Sequence, residues 1–103
     1  MHHIVLYLGD GTYSGKGEYE LRPPEIGARH EFILFLRQSN AEPAFSIATE
    51  EAGRFGFLEV TLKQAREIQT ESLNTMRGFS GYYEEALSAG RSLVWYTHEN
   101  ASV

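Results

Sequence analysis

Residues 9–17 read Gly-Asp-Gly-Thr-Tyr-Ser-Gly-Lys-Gly, a density of glycine around one lysine that raises phosphate binding as the first chemistry to test. A phosphate-cradling loop needs glycine, four residues, then Gly-Lys-Ser/Thr, so that backbone amides wrap the phosphates while the lysine reaches them. Counting back from Gly15 puts Asp10 where the first glycine belongs, and Gly17 follows Lys16 in place of a hydroxyl residue. The dinucleotide fingerprint fails as well, because Ser14 occupies its third glycine position. Both motifs require a helix whose N-terminus carries the anion, whereas Glu18-Tyr19-Glu20-Leu21 alternates as a strand and bears two carboxylates. The segment is therefore expected to be a hairpin loop, with Tyr13 offered at its tip.

Other catalytic constellations are equally incomplete. The chain has no cysteine, hence no thiol nucleophile and no thiolate metal site. Its histidines are His2, His3, His30 and His98, and none forms the i, i+4 helical pair of a zinc protease. A three-histidine site from His3, His30 and His98 would require both terminal strands and the His30 strand to converge at one edge. No serine lies in a Gly-x-Ser-x-Gly elbow. Glu50-Glu51 and Glu84-Glu85 are adjacent in sequence, and adjacent side chains diverge on helices and strands alike. No catalytic residue, cofactor or metal is implied.

Composition favours a binding role. The chain has 103 residues and carries 9 basic against 14 acidic side chains, net −5, with no basic stripe of the kind that binds nucleic acid. The acidic residues are all glutamate except Asp10. Phe32, Phe35, Phe45, Phe57 and Trp95 fall in apolar runs and belong to a core, whereas Tyr13, Tyr82, Tyr83 and Phe79 fall in a loop and at a helix start. Tyrosine joins apolar area to a polar tip, which suits contact surfaces. The expected contact set is Tyr13, Glu18, Glu20, Glu50, Glu51, Phe79, Tyr82, Tyr83, Glu84 and Glu85. Through it a non-enzymatic module of immunity-protein or antitoxin type would occlude a basic macromolecular partner. One alternative is a small-ligand protein in which Arg29, Arg37 and Arg54 bind an anion and His30 or His98 moves a proton. Another is a homodimer formed through an edge strand. With no apolar run long enough to span a bilayer and no signal-peptide pattern, the expected location is the cytoplasm, away from membranes.

The elements expected to position these residues make up a single α+β domain over residues 1–103. It has a mainly antiparallel sheet of five or six strands, with one long and one short helix packed on one face. Strands are expected at 3–8, 17–21, 31–37, 44–49, from 55 towards 60, and at 92–97. The long helix is expected over 61–77, since Leu62, Ala65 and Ile68 recur at helical spacing. The short one starts at Ser80 and stops at Gly90.

Overall fold

A computed structural model describes residues 3–16, 24–40, 42–68 and 80–96. Four strands and two helices follow in the order β1 (His3–Tyr13), β2 (Arg29–Gln38), α1 (Phe45–Arg54), β3 (Phe57–Glu67), α2 (Ser80–Ala89) and β4 (Arg91–Trp95). The strands form one antiparallel sheet in the order β3-β1-β2-β4. The fold is therefore α+β with an antiparallel sheet, and among the described residues it holds four strands, not five or six. The strand expected at 17–21 lies outside the described residues.

β1 and β2 are apolar on both parities because both of their faces are used. One face carries Val5, Tyr7, Phe32, Leu34, Leu36 and Leu93 and is covered by α1 through Ala48 and Ala52. The opposite face carries Ile4, Leu6 and Phe35 and is covered by α2 through Ala86, Tyr82 and Tyr83. The helices thus lie on opposite faces, which corrects the expectation of one shared face. Alternation along a strand sends Val5 and Leu6 to opposite sides, and each side is apolar enough to need its own cover.

Two element assignments are also corrected. Residues 45–54 are helical, and Phe45 and Ile47, expected to point inward from a strand, are exposed. The buried pair is Ala48 and Ala52, one helical turn apart, whose small side chains let the helix approach the sheet. Residues 57–67 form a strand where the long helix was expected to begin, and the remainder of that expected helix from 69 onward lies outside the described residues.

A β-bulge explains why the strand resembled a helix. Leu8 pairs with Gln64 and Gly9 with Leu62, so Lys63 is an extra residue on β3. Leu62 and Ala65 both pack on the α1-side core, three residues apart rather than two, and that spacing mimics helical periodicity. Gly9 is required at this point: a Cβ there would lie 2.5 Å from the Thr61 carbonyl oxygen and 2.8 Å from a Leu62 methyl. A second irregularity between Asp10 and Thr12 leaves Glu59 in the left-handed region at φ 52°.

Two stability changes follow from this strand pair. Gly9→Ala should lower unfolding free energy by about 1–3 kcal/mol through overpacking, read as a shifted urea midpoint. Glu59→Gly should raise it by about 1 kcal/mol relative to Glu59→Ala, because glycine tolerates positive φ.

Candidate functional site

The helix on the α2 side covers only one end of its sheet face. Beyond it the same face continues through Leu8, Asp10 and Thr12 on β1 and Ile33, Glu31 and Arg29 on β2, which pair with one another across the two strands. These side chains turn polar where the helix no longer covers them. Arg29 crosses from β2 towards β3. Its Nη2 donates 2.5 Å to Asp10 Oδ1 and 3.0 Å to the Glu59 carbonyl, so it ties the second bulge to the sheet. The first bulge aims Lys63 at the same cluster, with Nζ 3.2 Å from Asp10 Oδ2 and 3.2 Å from Glu31 Oε2. The hydrogen bonds to Asp10 and Glu31 push the Lys63 pKa up.

Tyr96, just past β4, completes this surface. Its amide donates 2.9 Å to the Glu31 carbonyl, and its side chain is 37 % exposed. Trp95 packs on the α1-side core, so its neighbour Tyr96 faces the α2 side. Burial raises the Tyr96 pKa, and the charge of Glu31, with that of Tyr82 once it ionises, raises it further. Tyr82 stacks on Phe35 with ring centroids 5.8 Å apart, and Tyr83 packs beside it; both are half-buried. Glu84 and Glu85 on α2 are exposed. Tyrosines and carboxylates from α2, β2 and β4 therefore share one side of the molecule.

The structure assembles only part of the expected contact set. Tyr13 is 3 % exposed, with its ring 5.8 Å from Phe57. β1 runs through Gly9 and Gly11 to Tyr13, so that tyrosine is a core residue and not a loop tip. Glu50 is exposed on α1, on the opposite side of the sheet from α2. Glu51 is largely enclosed, with Oε1 lying 3.0 Å from Arg91 Nε and 3.5 Å from Arg54 Nε. Neither contact is aligned as a hydrogen bond, so charge alone holds that oxygen. Glu18, Glu20 and Phe79 lie outside the described residues. Sequence reasoning missed Tyr96, Glu31 and Lys63. The signal for Tyr96 was its parity, opposite to Trp95 in the final strand.

The histidines do not converge. His3 pairs with Gln38 and His30 with Gly11, which puts eight β1 residues, or about 26 Å, between them. His3 Nδ1 lies 2.5 Å from Glu67 Oε2. His30 is buried: its Nδ1–H donates 2.9 Å to the Tyr96 carbonyl, and its Nε2 accepts the Glu25 amide at 3.2 Å. Both ring nitrogens are thus occupied in holding the backbone. His98 lies outside the described residues. Among the described residues no group of three or more His, Cys, Asp or Glu side chains could hold a metal ion, and no helix is long and apolar enough to cross a membrane.

A separate cleft of about 540 Å³ opens at the other end of the sheet, between the start of α1, the end of β2 and the start of β4. Its lining includes Leu36, Arg37, Gln38, Ile47, Glu51 and Arg91. Tyr7 braces this end. Its buried hydroxyl donates to Gln38 Oε1 and accepts the Ala44 amide at 2.9 Å. Of the arginines proposed for an anion site, only Arg37 reaches this cleft, since Arg29 stands on the sheet face and Arg54 pairs with Glu51.

Comparison of the chain with protein-family models, with curated proteins and with solved structures gives no match.

Burial raises the pKa of the Tyr7 hydroxyl. The folded chain therefore holds that proton, and those of Tyr96 and Lys63, more tightly than the unfolded chain does. Their contribution to stability is complete below about pH 10 and is lost as pH rises through the folded values. The melting temperature should fall above about pH 10. Tyr7→Phe should reduce that slope without abolishing it and should cost about 1–2 kcal/mol at neutral pH, measured by denaturant titration at pH 7 and above pH 10.

Proposed function

We propose that the chain is a protein-binding module whose α2 side meets a basic protein surface. The observation that carries this reading is the exposed Tyr96, tied through its amide to the Glu31 carbonyl, on the same side as the exposed Glu84 and Glu85. Tyr96 supplies area with a polar tip, and the glutamates supply a field that steers a cationic partner. Glu84 and Glu85 have no ion-pair partner among the described residues, and the whole chain is net −5. Leu58, 56 % exposed and paired opposite Thr12, adds apolar contact at the far corner of the same face. The action on the partner is occlusion, in the manner of an immunity protein or antitoxin. This reading keeps Tyr82, Tyr83, Glu84 and Glu85 of the original set, replaces Tyr13 with Tyr96, and leaves Glu50 outside the interface.

Affinity capture from the source cell tests this with paired variants. The wild-type chain and Glu50→Lys should retain one and the same basic protein, in decreasing amount as salt rises. Glu84→Lys/Glu85→Lys and Tyr96→Ala should each lose at least about tenfold of that capture. Equal loss in Glu50→Lys, equal retention in all variants, or recovery of this chain's own copies alone would overturn the assignment.

A further inference from the structure

β4 is an edge strand: it pairs with β2 on one side and, among the described residues, with no strand on the other. We infer that this free edge pairs antiparallel with the same edge of a second copy of the chain, about a two-fold axis at Leu93. The direction of the backbone groups follows from two bonds that flank the strand. The Arg37 amide donates 3.0 Å to the Gly90 carbonyl, and the Tyr96 amide donates 2.9 Å to the Glu31 carbonyl. In an antiparallel ladder, residues that exchange such bonds alternate with residues that do not. Gly90, Ser92, Val94 and Tyr96 therefore turn their N–H and C=O groups to β2, while Arg91, Leu93 and Trp95 turn theirs outward. The opposite edge of the sheet is less suited. β3 breaks register at Lys63 and again near Glu59, which stands at φ 52°, and such irregularities protect an edge against added strands. β4 keeps an unbroken register with β2 over its five residues.

The occupant is a second copy because β4 is complementary to itself. With the axis at Leu93, Arg91 faces Trp95 of the copy and Leu93 faces Leu93 of the copy. Every outward N–H and C=O then meets a partner, each pair of residues exchanging both bonds. Moving the axis to Ser92 or Val94 leaves one of the three outward residues unmatched within β4. The side chains agree with this register. Leu93 and Trp95 pack on the α1-side core, and Arg91 reaches Glu51 of α1, so all three share that face. The pairing sets a guanidinium against an indole ring, which attracts it. Arg91 and Trp95 are only half-buried, and β4 holds no carboxylate to oppose another. An axis normal to the sheet keeps both α2 helices on one side, so the dimer displays two acidic faces together.

The test is sedimentation equilibrium of the whole chain over a range of protein and salt concentrations, joined to amide hydrogen exchange. Each copy is net −5, so added salt should strengthen this pairing. Capture of a basic partner should weaken with salt, and either assignment can fail without the other. Protection of the Arg91, Leu93 and Trp95 amides should rise with the dimer fraction, whereas the Ser92 and Val94 amides should be protected in the monomer already. Arg91→Pro removes an outward N–H and none from the β2 ladder, and should weaken dimerisation by about tenfold or more. Arg91→Ala loses the same side chain but keeps the N–H, and should weaken it less. The wild-type exchange data decide the matter even where a variant fails to fold. A chain monomeric up to about 1 mM at high salt, a dimer that leaves those three amides unprotected, or equal loss in both Arg91 variants would overturn the pairing.

Discussion

A mismatch of lengths governs the architecture of this protein. β1 has eleven residues and spans roughly 36 Å, whereas α2 has ten and spans roughly 15 Å. A helix of that length cannot cover a sheet face of that length. Under α2 the face carries Ile4, Leu6 and Phe35; beyond it the same rows continue as Asp10, Thr12, Glu31 and Arg29. The opposite face carries buried side chains from Val5 to Tyr13, with Phe32 and Phe57 between them and α1 over part of it. One face is thus core along its length, and the other is core at one end and polar surface at the other.

The two β3 irregularities follow from the same constraint. Among the described residues, the stretch of face that α2 does not reach is filled with groups that tolerate water. The extra residue Lys63 is turned onto Asp10 and Glu31, and Arg29 reaches back to the Glu59 carbonyl at the second irregularity. Exposed ion pairs of this kind contribute little stability individually. Their effect is to set which side chains remain to be read from outside. The cations neutralise the middle of the sheet and leave Glu84 and Glu85 on α2 as unpaired acids among the described residues, with Tyr96 exposed on the same side.

The parts of the fold legible in sequence were those where local pattern and tertiary environment agree. The central strand around Phe32–Leu36 was expected from apolar residues on both parities, and α2 from its Ser80 start and Gly90 stop. Gly90 has φ 98°, as a helix-ending glycine should. The failures have physical causes. Phe45 and Ile47 alternate like strand residues, yet the burial that fixes α1 comes from Ala48 and Ala52, whose small size hid the apolar stripe. Leu62 and Ala65 follow helical spacing because a bulge adds one residue between them. The glycine-rich run reads as a loop because glycine usually marks a turn, whereas here Gly9 admits the close approach of β3. At the candidate interface, the tyrosines and acids of α2 were legible from composition. Tyr96 and Glu31 were not, because their proximity depends on β2 pairing with β4.

The partial cover of one sheet face is tested most directly by NMR line broadening from a soluble paramagnetic co-solute. The account predicts strong broadening at the Leu58 methyls and the Tyr96 ring, and none at the Ile4 and Leu6 methyls, which occupy the same face beneath α2. Equal broadening along the whole face, or protection of Leu58 and Tyr96 in the free protein, would contradict it.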